Sequence, residues 1–360
     1  MHRPFISALM MMLIFSWQIG QPLAAATLYW DADAAVSGNS SVTGAGLGGS
    51  GIWNTTLPYW WDGSSTDAPV TFTSADTAVF TGFGGMVQLG APITLGSIIF
   101  SQNIGASGFN ITGDGTAGSN SLTLAGAATI AVNVSGTDTI SAVIAGSNGL
   151  NFSSTTNGRL NLTAANTYSG TTTINSGTLS IFADANLGSS GNDITFNGST
   201  AAGLMLNAPM VLGSGRTITL NNTGGAVALL SSNATAAQVV LGQVTGAGTF
   251  AVANAGTTYL LNTANNATGI LWAQSGTVSL STLTDASGNG NIKLGSGGST
   301  GGVQWNVGAT SALTLANRSI ELAGTTGGGT IDSSSLVAAN SLTINNNLFD
   351  CIAKCWICTL

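Results

Sequence analysis

Charged side chains are scarce in this chain: only 5% of its 360 residues are Asp, Glu, Lys or Arg. Thirteen acidic residues stand against six Lys and Arg, which gives a formal net charge of −7. A nucleic-acid partner needs cations to neutralise its phosphates, and few are available here. The composition therefore argues against nucleic acid as a partner.

Histidine and cysteine are nearly absent. The single histidine is His2, and the three cysteines are Cys351, Cys355 and Cys358 at the C-terminal end. Residues 27–347 contain neither type, which excludes imidazole proton transfer, thiolate nucleophiles and thiolate-bound metals there. The cysteine spacing makes a poor zinc site, because such a site needs four ligands and residues 27–360 contain no histidine.

Carboxylates are the main catalytic option left, and they are dispersed. A β-helical hydrolase or lyase would cluster its acids on one face, whereas these acids stand singly along the chain: Asp114, Asp138, Asp184, Asp193, Asp285, Glu321 and Asp332. The basic residues are equally scattered: Arg159, Arg216, Lys293 and Arg318. We therefore expect no enzyme, no catalytic residue, no cofactor and no metal. A carboxylate pair from adjacent coils stays open as an alternative.

Calcium is the other use of these carboxylates that we consider. Asp31, Asp33 and Asp114 could ligate a hard cation through oxygen, although ordinary turn aspartates explain all three equally well. The glycine-rich nonapeptide that binds calcium in other β-rolls does not recur in this sequence.

The chain is instead rich in short β patterns. Apolar residues make up 44% of the sequence, and its 51 glycines punctuate short alternating runs. In the segment 160–187, Leu160, Leu162 and Ile174 alternate with polar residues, and Gly170 and Gly177 mark corners between the runs. Together with Leu179 and Ile181, these side chains are predicted to point inward. No stretch outside the N-terminus has the length of a helix, which predicts an all-β fold.

The same unit returns about one hundred residues later. The segment 165–179 (ANTYSGTTTINSGTL) aligns with 264–278 (ANNATGILWAQSGTV), and two later islands align at nearly the same offset. Self-similarity of this kind marks a stacked array, in which each unit buries its apolar face against its neighbours. We expect roughly ten to twelve coils of about 20–25 residues over residues 91–347.

The segment 157–181 resembles the autotransporter-associated β-strand repeat, whose core reads G-x-L-x-L-x-x-x-N-T-Y-x-G-x-T-x-I-x-x-G-T-L. The matching residues are Gly158, Leu160, Leu162, Asn166, Thr167, Tyr168, Gly170, Thr172, Ile174, Gly177, Thr178 and Leu179. The resemblance implies a right-handed parallel β-helix that is exported to the bacterial surface, and it implies no particular chemistry. Proteins of this kind often end in a membrane barrel, for which the repeat leaves no room before residue 347.

Four segments follow from these patterns. Residues 1–26 resemble a signal peptide, with Arg3 before an apolar run and small residues at Ala24–Ala26. Residues 27–90 form a Trp- and Asp-rich N-terminal cap, and residues 91–347 form the solenoid. Residues 348–360 are a cysteine-containing tail foreign to the repeat, such as a truncation or frame shift would produce. No transmembrane helix is expected after the signal.

The tryptophans of the cap have two readings. Trp30, Trp53, Trp60 and Trp61 could cover the first coil of the solenoid, or they could form a platform for sugar rings with the nearby acids. We take these four residues as candidate glycan contacts.

Two functional hypotheses remain. The first is a non-catalytic, exported surface or secreted protein of autotransporter-passenger type, with a structural or adhesive role. The second is a module that binds glycan at its Trp-rich end or cleaves it at a carboxylate pair. Surface glycans or other cell-surface molecules are the expected partners. End-to-end self-association is also expected, because the edge strands of a solenoid can pair with other molecules.

Overall fold

The computed structural model describes residues 25–332 and 342–344, except for 65–66, 69–71, 74–75, 106, 115–118, 127, 233–234, 281–290, 306–312 and 316–318. Within these residues the predicted all-β fold is confirmed, and the one helix is a short 3₁₀ turn at Asp184–Leu187. The predicted signal peptide before residue 25 and the tail at 348–360 lie outside the described residues.

The strands are short and follow one another along the chain. The first sixteen are β1 Thr27–Trp30, β2 Gly51–Trp53, β3 Trp60–Trp61, β4 Asp67–Ala68, β5 Thr77–Gly82, β6 Met86–Leu89, β7 Ile93–Leu95, β8 Ser97–Asn103, β9 Asn110–Thr112, β10 Leu122–Leu124, β11 Thr129–Val132, β12 Thr137–Ile140, β13 Ile144–Ala145, β14 Leu150–Ser153, β15 Arg159–Leu162 and β16 Thr172–Ile174. The remaining sixteen are β17 Gly177–Ile181, β18 Ile194–Phe196, β19 Ala202–Leu206, β20 Val211–Leu212, β21 Ile218–Leu220, β22 Val227–Ser232, β23 Gln238–Val240, β24 Val244–Gly246, β25 Thr249–Leu260, β26 Leu271–Leu280, β27 Ile292–Gly297, β28 Gly301–Trp305, β29 Leu313–Leu315, β30 Ile320–Gly324, β31 Gly329–Asp332 and β32 Leu342–Ile344.

Parallel pairing stacks these strands into a solenoid. Sheet I has the order β24-β21-β18-β16-β14-β11-β8-β5-β1-β3-β4, and sheet II runs β2-β6-β9-β12-β15-β17-β19-β22-β25-β26-β27-β30. Sheet III is smaller, with the order β13-β10-β7, and β29 pairs with β32. From β5 to β25, each coil thus contributes one strand to sheet I and the next strand on this path to sheet II. Beyond β25, the described strands β26, β27 and β30 continue sheet II alone.

The described part of the stack makes about nine turns, fewer than the ten to twelve expected. In the best-formed coils, residues 22 positions apart lie on top of each other, as Ile144 and Asn166 do. Other coils are longer than the expected 25 residues: Ile98 of β8 stacks on Ile130 of β11. Longer coils leave fewer turns for the same length of chain.

Aliphatic side chains fill the interior. Leu160, Leu162, Ile174, Leu179 and Ile181 are fully buried, which confirms their predicted inward orientation. Leu160 stacks on Leu179 and Leu162 on Ile181 across the β15–β17 pair. A buried side chain of this size contributes about 2 kcal/mol relative to its exposed form. Because every coil shares its apolar contacts with the coils on both sides, the core is one continuous column.

Parallel strand pairing is also present within residues 27–90, the segment predicted as the cap. Strand β1 pairs in parallel with β5, and β2 pairs in parallel with β6, so the first coil lies within residues 27–90. The pairing changes direction only at β3, which runs antiparallel to β1 and is followed by the antiparallel strand β4. The hairpin β3–β4 therefore occupies the edge of β1 that a further coil would otherwise use.

Candidate functional site

The four tryptophans proposed as glycan contacts lie together at the N-terminal end of the core. Trp30 and Trp60 have ring centroids 5.3 Å apart, and Trp53 lies 5.0 Å from Trp60. Phe72 packs edge-on against Trp60 at 4.7 Å, and Phe80 contacts Trp53 at 5.5 Å. Tilted and edge-to-face pairs at these distances are favourable arrangements of aromatic rings.

The rings of Trp30, Trp53 and Trp60 face one another, whereas Trp61 packs against Tyr29 at 5.7 Å. Trp30 and Trp53 are 0% exposed, Trp60 is 1% exposed and Trp61 is 5% exposed. A pyranose ring stacks on an open ring face, and this arrangement offers almost none. The placement of these four residues therefore supports the covering of the first coil and gives no support to their predicted role as glycan contacts.

Three carboxyl groups meet beside this cluster. Asp31 follows Trp30, is 1% exposed and accepts a hydrogen bond from Nδ2 of Asn39 at 2.6 Å. The carboxyl groups of Asp33 and Asp67 lie close enough to act on it electrostatically. Burial, together with these neighbouring acids and against the hydrogen bond from Asn39, raises the pKa of Asp31 to about 7. Burial also raises the pKa of Asp67 above its ordinary value.

This cluster is the closest grouping of acids, yet it gives no catalytic carboxylate pair. A glycosidase needs its two carboxyl groups open to the sugar, about 5–9.5 Å apart. The Asp31 side chain is 1% exposed, so its carboxyl group is closed to a sugar. In the described part of the chain, no group of three or more His, Cys, Asp or Glu side chains could hold a metal ion. Among the same residues, no helix is long and apolar enough to cross a membrane.

The dispersed acids have structural partners. Asp138 is fully buried and accepts the backbone N–H of Phe109 at 2.7 Å, and Asp193 accepts that of Thr217 at 2.9 Å. Glu321 forms an ion pair with Lys293 at 3.3 Å. Asp285 and Arg318 lie outside the described residues. Each described acid named here stabilises backbone or a neighbouring side chain.

The segment that resembles the repeat forms a polar corner between the coils. Oδ1 of Asn166 accepts the backbone N–H of Ile144 at 2.8 Å, and its Nδ2 donates to the carbonyl of Asn186 at 2.6 Å. Asn186 in turn donates from Nδ2 to the carbonyl of Ala164 at 2.7 Å. These amides satisfy backbone groups that the corner takes out of the sheet ladders.

Tyr168 and Gly170 complete this corner. Tyr168 is fully buried, and its hydroxyl group lies 2.7 Å from that of Thr172. Burial raises the pKa of Tyr168 to about 12, so the phenol is neutral. Gly170 has φ +98°, where a Cβ atom would lie 2.8 Å from the backbone N of Gly149. The Asn-Thr-Tyr-x-Gly motif is thus a structural corner.

The positively charged side chain of Arg216 is buried, at 1% exposure. Its Nε donates to Oδ1 of Asp184 at 2.7 Å, and its Nη2 donates to Oδ2 of the same carboxylate at 3.1 Å. The guanidinium also donates to a ring of carbonyl groups around the 3₁₀ helix, those of Asp184, Leu187, Gly188, Ser189 and Asn192. The sequence placed both residues among the dispersed charges, since only folding brings two positions 32 residues apart together.

The second copy of the repeat folds in the same way. Oδ1 of Asn265 accepts the backbone N–H of Val244 at 2.8 Å, as Asn166 does with Ile144. The backbone N–H of Asn266 then donates to the carbonyl of Val244 at 3.0 Å. The internal repeat seen in the sequence is therefore also a repeat of backbone geometry.

Comparison with protein families finds the same segment. Residues 157–181 match the model of the passenger-associated-transport-repeat. The resemblance predicted from the sequence is confirmed: this β-solenoid carries a repeat of the type found in autotransporter passengers.

A curated relative supports the resemblance to autotransporter passengers. Over 210 residues the chain is 38% identical to the adhesin BmaC autotransporter of Brucella suis biovar 1 (strain 1330). The match covers 57% of this chain and 5% of that protein, so the chain spans a small part of the length of its relative. No solved structure matches the chain.

Proposed function

We propose that this chain is a non-catalytic, adhesive module of autotransporter-passenger type, exported to the cell surface or released from it. The observation that carries the proposal is the combination of a continuous β-solenoid with 38% identity to part of an autotransporter adhesin. Surface glycans or other cell-surface molecules are its proposed partners.

The placement of ionisable groups supports a binding role over a catalytic one. The most perturbed carboxyl group, that of Asp31, is buried beneath the hairpin β3–β4. The buried guanidinium of Arg216 is enclosed by carbonyl groups. Both groups stabilise the rod, and neither is placed to meet a substrate.

Adhesion is tested with beads coated with the chain from Thr27 onward, applied to monolayers of cultured epithelial cells. We expect more bound beads than with the Leu179→Asp variant, in which the core of the rod is disrupted. Equal binding by both would contradict an adhesive role of the solenoid. Release of reducing sugar from polysaccharides by the same preparation would contradict the non-catalytic assignment.

Export is tested separately. The full chain, expressed in a bacterium with an outer membrane, is expected to appear outside the cytoplasm with Thr27 as its first residue. Recovery of unprocessed protein from the cytoplasm alone would contradict the signal-peptide assignment.

A further inference from the structure

The outer face of sheet I carries an unbroken row of short polar side chains. Each member lies beside the next in the strand register, over nine consecutive coils. The row, which we term the polar ladder, consists of Thr27, Thr77, Ser97, Thr129, Asn151, Thr173, Thr195, Thr219 and Thr245.

The ladder points away from the core. Its neighbours along each strand, such as Thr172, Ile174 and Ile194, are fully buried, whereas Thr173 and Thr195 are partly exposed. Successive side chains of a strand point to opposite faces of the sheet, so the whole row lies on the outer surface.

Strand propensity alone does not account for this uniformity. Threonine is favoured on any solvent-facing strand position, and the outer face of sheet II has the same requirement. The matching row of sheet II, however, has a mixed composition: Thr137, Arg159, Thr178, Gly203, Leu229 and Ala251. A second row of sheet II, with Asn110, Thr139, Asn161 and Ser180, is also polar, but it is interrupted at Met205. The polar ladder is distinguished by its length, because it is unbroken over nine strands.

Two ladder members have partners within the coils: Oγ of Ser97 accepts the backbone N–H of Thr129, and Nδ2 of Asn151 donates to the carbonyl of Ala128. The spacing of the ladder leaves its threonine hydroxyl groups available. Neighbouring strands lie about 4.8 Å apart, which is too far for a direct hydrogen bond between equivalent threonines. Within the described residues, the hydroxyl groups of Thr173, Thr195 and Thr219 make no hydrogen bond to another side chain. The row spans eight strand spacings, or about 38 Å, with a regular series of donors and acceptors.

The charges of the ladder and of the whole chain limit which polymers can bind the ladder. No member of the ladder is charged, and Asp193 beside it accepts the backbone N–H of Thr217. A chain with a net charge of −7 repels polyanions, while a polycation would need acids along the row. A neutral polymer rich in hydroxyl groups complements the face in both charge and hydrogen bonding.

We propose that the polar ladder binds a neutral, extended polysaccharide along the axis of the rod. The inference rests on the proposed adhesive function and names its ligand class. Repeating sugar hydroxyls would exchange hydrogen bonds with successive coils, so that many weak contacts add along the length of the polymer.

The test compares the parent chain with the variant Thr173→Val/Thr195→Val/Thr219→Val. Valine keeps the shape and the strand preference of threonine and removes only the hydroxyl group. Affinity is measured by retardation in gels containing galactomannan, xyloglucan or dextran, which are neutral, and alginate or chitosan, which carry opposite charges. We expect retention by at least one neutral polymer, weakened at least tenfold in the triple variant.

A matched control removes three hydroxyl groups from the outer face of sheet II, with Thr137→Val/Thr178→Val/Thr249→Val. Equal circular dichroism and melting curves for all three proteins show that the rod is intact. The control variant is expected to retain the affinity of the parent.

In the retardation assay the inference would be overturned by no retention by any neutral polymer, by equal retention by the charged ones, or by equal loss in both triple variants. A lateral dimer of the parent that the sheet I variant abolishes would assign the ladder to a second copy of the chain. Bead adhesion that persists in the sheet I variant would overturn the ladder inference while leaving the adhesive function in place.

Discussion

At the scale of single residues, the buried polar groups of this protein stabilise the coils through hydrogen bonds and do not face a ligand. Arg216 and Asn166 each connect segments that are distant in the chain, through several hydrogen bonds. Such networks stabilise strongly when complete, and removing one member leaves buried acceptors without a donor.

Replacing Arg216 by Met tests this network. The substitution leaves the carbonyl groups around the 3₁₀ helix without their donor, and we expect a loss of about 2–4 kcal/mol in urea denaturation followed by circular dichroism. The control is Arg159→Met, because the Arg159 side chain lies on the outer face of sheet II, and we expect it to change stability by less than about 0.5 kcal/mol. Equal effects of the two substitutions would show that the hydrogen bonds from Arg216 to these carbonyl groups contribute little to stability.

The acids at the N-terminal end predict a dependence on pH. The pKa of Asp31 is raised to about 7 in the folded chain, above its value of 3.8 in a model compound. Between these values the folded state holds a proton that the unfolded state has lost, so stability falls as pH rises from about 4 to about 7. Asp33 and Asp67 face Asp31, and Asp62 lies near Asp67; all are acidic, so none offsets this trend.

The measurement is the tryptophan fluorescence melt of the chain at several pH values, because Trp30 and Trp60 lie beside these acids. We expect the melting temperature of this end to fall from pH 4 to pH 7. Asp31→Asn, which imitates the protonated group, should flatten that dependence. A slope that is unchanged in this variant would assign the effect to other acids.

At the scale of the elements, stability comes from stacking. Leu179 of β17 lies between Leu160 of β15 and Leu204 of β19, and all three are fully buried. An isolated strand of five residues is not stable. Parallel pairing with the strands on both sides stabilises it.

Leu179→Asp places a carboxylate in this column. We expect a loss of several kcal/mol and a melting transition that falls by more than 5 °C, because a buried carboxylate has no partner there. Thr178→Asp, one position along the same strand but on the outer face beside Arg159, is expected to melt like the parent. A parent-like melt of the Leu179 variant would mean that the register of β17 differs.

At the scale of the whole molecule, the N-terminal end of the rod is closed. The antiparallel hairpin β3–β4 and the aromatic cluster cover it. The three cysteines lie outside the described residues. Their association behaviour is therefore a prediction from the sequence.

We expect the chain from Thr27 to Leu360 to form intermolecular disulfides after export, since an odd number of cysteines leaves at least one thiol without an internal partner. A chain ending at Asn347 should lose these disulfides and keep edge-to-edge association. Sedimentation velocity with and without reductant separates the two effects. Monomers of both chains under both conditions would contradict the prediction.

The class of fold could be predicted from the amino-acid pattern alone. Alternation at Leu160 and Leu162, the corner glycines and the repeat at an offset of about one hundred residues are local or periodic signals, and period-two alternation requires a strand whatever its neighbours are. The corner of the second repeat, at Asn265, follows the first for the same reason. The inward side of β15, β16 and β17 could also be read directly from the pattern.

The roles of the individual polar and aromatic residues depend on contacts that form when the chain folds. Whether Trp30 and Trp53 cover a core or present a ring depends on the direction of the hairpin β3–β4, which composition does not encode. The ion pair of Arg216 and the polar ladder arise between coils of unequal length, from 20 residues at Thr77–Ser97 to 50 at Thr27–Thr77. Because the register depends on each coil's own loops, a single-sequence period cannot show which side chains meet.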